Sequence, residues 1–178
     1  LLILSNVFNA LWCIVWVQEL IGFSVIMIIG LLLSLIYLTA RLRLEIWDAP
    51  LSTIAFVWWP ICIYLGWVTL ATAVNISAFL TSLGWSGEPF SAIFWAITVM
   101  LVAGGIYLFL IRTRNLREAA MVGVWGVSAI AVKQWDSEPI VAWAALGVAA
   151  VLFIAASIHA AKNWRTSPIQ KVFDGDWK

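Results

Sequence analysis

The sequence predicts an all-α integral membrane protein, a bundle of about six transmembrane helices, on three observations. Of its 178 residues 64% are hydrophobic and 11% charged, with a mean hydropathy of +1.02, far outside the range of a soluble domain of this length. The apolar residues fall into runs at about 1–17, 20–40, 54–80, 91–111, 116–135 and 139–161, and a spanning helix needs about 20 mostly apolar residues. The connections are short and carry most of the charge, so the runs form one transmembrane domain, 1–161, followed by a polar cytoplasmic tail, 162–178.

The first run ends at Gln18 and Glu19, and the second follows almost at once, which predicts a tight helical hairpin. Gly22, Gly30 and Ser34 give the second run small positions for close helix approach. Residues 41–50 form a polar connection, with Trp47 as an interfacial anchor and Pro50 opening the next helix. The third apolar segment reaches from Leu51 to about Leu83, longer than a bilayer needs, and Pro60 predicts a kink in it. Gly84 to Pro89 is a turn, and Gly104 and Gly105 loosen the fourth run or admit a neighbour. The fifth apolar core, 119–132, is short, and it crosses only if Arg117 and Lys133 snorkel. The sixth run carries Ala145 and Ala149, then Ala156 and Ala160, at a spacing suited to tight packing.

Charge placement decides whether the fifth run crosses. Six crossings put Arg41, Arg43, Arg112, Arg114, Arg117, Lys162, Arg165, Lys171 and Lys178 on one side and leave Lys133 alone on the other. With five crossings the basic tail changes sides and the asymmetry disappears. The positive-inside rule therefore selects six, with both ends of this chain cytoplasmic. The chain opens in apolar sequence on a leucine, without a basic leader region or a small-residue cleavage site, so Leu1 is expected to lie within a longer protein.

No Asp, Glu, Lys or Arg lies near the centre of any run. Ion-coupled transport, proton pumping and most intramembrane catalysis need ionisable groups at depth, which argues against all three. Cys13 and Cys62 lie inside apolar runs without neighbouring ligands, and read as small buried hydrophobes rather than a metal site. His159, near the cytoplasmic end of the sixth run, reads as an interfacial histidine, with axial ligation of a haem as the alternative. No catalytic triad can be assembled, so an enzyme is not expected, and nucleic acid is not an expected partner.

The positive signal is aromatic. Of 13 tryptophans, Trp47, Trp58, Trp59, Trp85, Trp135, Trp143 and Trp164 fall near expected membrane edges, as an interfacial belt requires. Trp12, Trp16, Trp67, Trp95 and Trp125 fall deeper. At 100° per residue, Pro60, Tyr64, Trp67, Ala71 and Asn75 share a helical sector of roughly 80°. A matching stripe in the first run holds Ser5, Asn9, Trp12 and Trp16. Two such faces can close on a planar, mostly apolar ligand with a few polar edges. Helix packing, with each indole N–H bonded to a nearby carbonyl, explains the same stripes. Asn9 and Asn75 can equally bond each other or backbone as structural glue, or present polar groups to a ligand.

FNALW in the first run resembles the LNxxW segment of the tryptophan-rich sensory proteins, the TspO/MBR family of bacterial relatives of the mitochondrial translocator protein (peripheral benzodiazepine receptor). WVTLATAVN resembles a later segment of that family in which Trp, Ala and Asn follow at four-residue steps, here Trp67, Ala71 and Asn75, and IYLGWVTLATAVN is similar to a longer bacterial branch with additional helices. The family's Pro- and Trp-rich loop and WxxxY-like helix would precede FNALW. That segment either lies upstream of Leu1 or is missing from this protein. The resemblance implies a receptor or sensor in a bacterial inner membrane whose cavity accepts tetrapyrroles, such as protoporphyrin or haem, and sterol-like molecules. It carries Asn9, Trp12, Trp67, Ala71 and Asn75 over as cavity lining, and the helical faces add Trp16 and Tyr64. The competing function is a non-catalytic accessory subunit of a larger membrane or pigment–protein assembly. The small-residue faces suit such partners, or a homodimer, as well as they suit internal packing.

Overall fold

The computed structural model describes residues 1–164 and 168–175. Arg165 and Lys178, two of the cations assigned to the basic side, lie outside the described residues. Helix α1 (Leu2–Val17) turns directly into α2 (Ile21–Arg41), with Glu19 in the left-handed region at φ 59°, and the two form the expected hairpin.

Helix α3 (Leu51–Ser82) is continuous, but its second turn, Ile54–Trp58, is π-helical. Pro60 explains this locally: it has no N–H to donate and its ring crowds the carbonyl one turn back, so a wider turn ahead of it relieves both. The interruption expected at Pro60 thus takes the form of a π-turn just before it. Helix α4 (Ala92–Arg114) starts on Ser91, whose Oγ accepts from the Phe94 N–H at 3.2 Å, and stops at Asn115, which is left-handed at φ 57°. Helices α5 (Arg117–Gln134) and α6 (Pro139–Lys162) follow after tight connections, and a short α7 (Pro168–Asp174) returns to the start of α3.

Helix α3 is the centre of the bundle, packing on α2 on one side and α5 on the other. Helix α1 lies on α2, and α4, α5 and α6 pack mutually, with α5 against α6 the most extensive pair. Two close approaches hold the halves together. A methyl group at Gly66 would lie 2.7 Å from the Ala119 carbonyl oxygen, so α3 and α5 touch backbone to backbone there. The Tyr107 hydroxyl, fully buried, donates to the Gly66 carbonyl across 2.7 Å and ties α4 to the same point. In the hairpin, the Phe8 ring sits over Gly30 and the Ser5 and Ser34 hydroxyls are 2.8 Å apart, the close approach expected of those small positions. Ala145, Ala149 and Ala156 of α6 are buried, as the alanine spacing implied.

The outer surface is apolar, with Leu101, Val102, Ile106 and Phe109 of α4 and Phe153, Ile154 and Ile158 of α6 exposed. Helices α2, α3, α4 and α6 are long and apolar enough to cross a membrane, and α1 is a shorter apolar helix. The α5 helix carries Arg117, Glu118 and Lys133 at its ends. Cys62 is buried as expected, but Cys13 is exposed.

Candidate functional site

The sequence-predicted site residues divide between two sides of α3. On the α1–α2 side, the Trp12 indole N–H donates to Asn75 Oδ1 at 2.8 Å, Asn75 Nδ2 donates to Ser24 Oγ at 2.9 Å, and that hydroxyl donates to the Ile21 carbonyl at 2.7 Å. One buried amide therefore joins three helices. Trp16 stacks on Trp12 with ring centroids 6.0 Å apart, Ala71 and Tyr64 are half-buried beside the same core, and Asn9 is half-buried on α1. The Tyr64 hydroxyl is buried without a hydrogen-bond partner among the described residues. Asn75 bonds to Trp12 and Ser24, and not to Asn9.

Trp67 faces the other way. Its ring lies 5.5 Å from Trp125 of α5, and Trp125 is a wall of a cavity of about 660 Å³ between α3, α5 and α6. Trp59, Ile63, Met121, Trp125, Ala156 and Trp164 supply a largely apolar lining, and Arg117 and Glu118 close one end. This volume lies inside the range of about 300–1,000 Å³ typical of small-molecule sites. Glu118 Oε2 is turned toward the Trp59 indole without reaching hydrogen-bond geometry, and among the described residues both Oε2 and Trp59 Nε1 are buried without a partner.

Arg117 also borders a second, polar cavity of about 400 Å³ at the basic end of the bundle, lined among others by Glu45, Arg112, Arg114, Asn115 and His159. The connections before α3 and before α5 meet here. Asn115 Nδ2 donates to Glu45 Oε2 at 3.3 Å, and both residues are held in the left-handed region, at φ 57° and 58°. Such conformations cost free energy for non-glycine residues and persist where the surroundings hold them. Burial first, then the charge of Glu118, push the Glu45 carboxyl up to about 8, against the opposing pull of Arg117 and the Asn115 amide. Asp48 pairs with Lys171 of α7 at 2.8 Å.

Of the residues lining the two cavities, sequence reasoning had placed Trp125 at depth but had put Trp59 and Trp164 in the interfacial belt. It missed the convergence of Glu45 with Asn115, 70 positions further along the chain, and with Arg117 beside it. The one local signal was that each sits in a short polar connection at the same end of the bundle. Among the described residues, no group of three or more His, Cys, Asp or Glu side chains is placed to hold a metal ion.

Among the described residues there is no strand and four helices are long and apolar enough to span a bilayer, which defines an all-α integral membrane protein. The chain belongs to the TSPO-like family: the family model described as TSPO-like protein matches residues 1–158. The match reaches into α6, well past the two motifs in the first half of the chain that carried the resemblance. This is a family of membrane proteins of the sensor and receptor kind, generally not enzymatic. No curated protein and no solved structure matches the chain.

Proposed function

We propose that the protein is a membrane receptor or sensor that binds a planar hydrophobic ligand, tetrapyrrole or sterol-like, in the aromatic cavity between α3, α5 and α6. The observation that carries this reading is the largely apolar cavity of about 660 Å³ with indole walls from Trp59 and Trp125, Trp67 standing behind Trp125. Flat apolar walls gain contact area with a flat ligand at little entropic cost, because an indole has few rotamers to lose. In this reading Trp67 is the member of the sequence-predicted set closest to the ligand. Trp12 and Asn75, already hydrogen-bonded to each other, act as a clasp that fixes α3, while Asn9, Trp16, Tyr64 and Ala71 support that clasp. The protein resides in a bacterial inner membrane and crosses it six times with the basic end cytoplasmic.

The test is a titration of the purified protein with protoporphyrin, and separately with a sterol, following tryptophan quenching. Trp125 is 63% exposed, so Trp125→Ala should fold. It is expected to weaken binding by about 1–3 kcal/mol, the scale of a lost aromatic contact. Saturable binding that is unchanged in Trp125→Ala and Trp67→Ala would remove the site. No saturable binding of either ligand, with partner proteins co-purifying, would favour an accessory subunit instead.

A further inference from the structure

The apolar and polar cavities share two lining residues, Arg117 and Pro168. Arg117 borders both, and among the described residues its Nε is buried without a hydrogen-bond partner, as is Nη1 of the neighbouring Arg114. Buried guanidinium donors left unmade are costly and ask for an acceptor. The nearby carboxylates do not supply it. Asp48 is paired with Lys171, Glu45 Oε2 is bonded to Asn115, and among the described residues neither Glu45 nor Glu118 comes within 4.0 Å of an arginine nitrogen. With Arg112 on the same wall, the polar cavity is a pocket of unspent positive charge opening beside an apolar one. The first turn of α5, where Arg117 sits, adds the positive end of a helix dipole.

We propose that the ligand of this protein is an amphiphilic acid: its planar apolar body fills the α3–α5–α6 cavity and its carboxylate reaches the polar cavity, where Arg117 and Arg114 hold it. This rests on the ligand reading given above for the apolar body; the anion site is the addition. An arginine pair suits a carboxylate because the planar fork can offer two parallel N–H donors to its two oxygens. Burial keeps Glu45 largely protonated near neutral pH, so it does not compete for the arginines. Glu118 is the opposing charge, at the apolar end beside Trp59, and it reduces the attraction of Arg117 for an anion. That sets the sign of its effect: neutralising Glu118 strengthens binding of the acid, whereas neutralising Arg117 weakens it.

The experiment compares two probes with one planar body, protoporphyrin and its uncharged dimethyl ester, by tryptophan quenching in phosphatidylcholine nanodiscs. The full chain is used as wild type and as Arg117→Gln, Arg114→Gln and Glu118→Gln. The expected result is that the free acid binds about tenfold or more tighter than the ester, the scale of a charged hydrogen bond. Arg117→Gln should abolish most of that ratio and Arg114→Gln part of it, with circular dichroism and thermal midpoints matching the wild type as the check that the variants are folded. Glu118→Gln should raise the acid-to-ester ratio.

Equal affinity for acid and ester in the wild type, or equal loss of both in Arg117→Gln, would overturn the anion site while leaving the planar-ligand reading intact. If neither probe binds, that reading falls and this inference with it. Adding phosphatidylglycerol to the nanodiscs tests the other source of an anion. Displacement of the acid by this lipid, dependent on Arg117, would assign the polar cavity to a lipid headgroup and overturn the planar acid as its occupant.

Discussion

The Trp12 indole donates to Asn75 Oδ1 across 2.8 Å, a contact between residues 63 positions apart that crosses from α1 to α3. Asn75 is 1% exposed and passes the chain of hydrogen bonds on to Ser24 of α2. An amide in an apolar interior is costly unless it is satisfied, and once satisfied it specifies register. Asn75→Ala leaves the Trp12 N–H without its acceptor, and should destabilise the protein by about 1–3 kcal/mol, read as a lower thermal midpoint in detergent. Ligand affinity should change little, since the proposed ligand cavity lies on the other side of α3. A variant with unchanged midpoint but lost binding would instead put these residues in the ligand site.

The contact of α3 with α5 depends on a missing side chain. At Gly66 an added methyl would meet Ala119 backbone atoms at 2.7 and 2.8 Å, which no rotamer change can relieve. A methyl at Gly147 would meet nothing within 4 Å among the described residues. Gly66→Ala should therefore cost about 1–3 kcal/mol by forcing the helices apart, and it should also displace the Tyr107 hydroxyl from the Gly66 carbonyl. Gly147→Ala should be neutral or stabilise by up to about 1 kcal/mol through helix propensity. Paired thermal melts check both, and equal midpoints for the two variants would refute this account of the packing.

Glu45 makes stability depend on pH with a definite sign. Its carboxyl is raised from 4.5 in the unfolded chain to about 8 in the fold, with Glu118, Arg117 and Asn115 the groups that face it. The folded state thus holds its proton more tightly, and unfolding releases it. This contribution to stability is fully present below about pH 4.5 and is lost as pH rises through about 8. Glu45→Gln keeps an acceptor for Asn115 and has no proton to lose. Melts from acid to mildly alkaline pH should show the wild type falling relative to this variant across that window. Parallel curves would mean that Glu45 titrates normally.

Helix periodicity and small-residue spacing made much of the fold legible. Ser5 with Ser34, Gly30 under Phe8, and the alanines of α6 all pack as their positions along one helix imply. The π-turn ahead of Pro60 was legible only as a disturbance, because a proline says that a helix must adjust but not how. The site was less legible for a physical reason. A helical sector of roughly 80° gathers Tyr64, Trp67, Ala71 and Asn75 onto one side, yet a central helix meets different neighbours across even that narrow arc. Asn75 falls to α1 and α2, while Trp67 falls to α5. Which neighbour lies on which edge is set by long-range packing, and no local pattern records it. The meeting of Glu45, Asn115 and Arg117 is hidden for the same reason.

Helix α5 decides the topology. Its 18 residues rise only about 27 Å at 1.5 Å each, just short of a hydrocarbon core of about 30 Å. Arg117 and Lys133 flank it at a distance that suits snorkelling to opposite headgroup regions. The packing of α5 on α3 and α6, with buried residues from Ala119 to Ala131, argues that it lies as deep as they do. If it crosses, Lys133 and Arg112 face opposite compartments. In a background with Cys13 and Cys62 replaced by serine or alanine, Lys133→Cys should react with an impermeant thiol reagent added outside intact cells. Arg112→Cys should react only after the membrane is opened. Labelling of both from the same side would mean that α5 does not cross, and would remove the charge asymmetry that places the basic end in the cytoplasm.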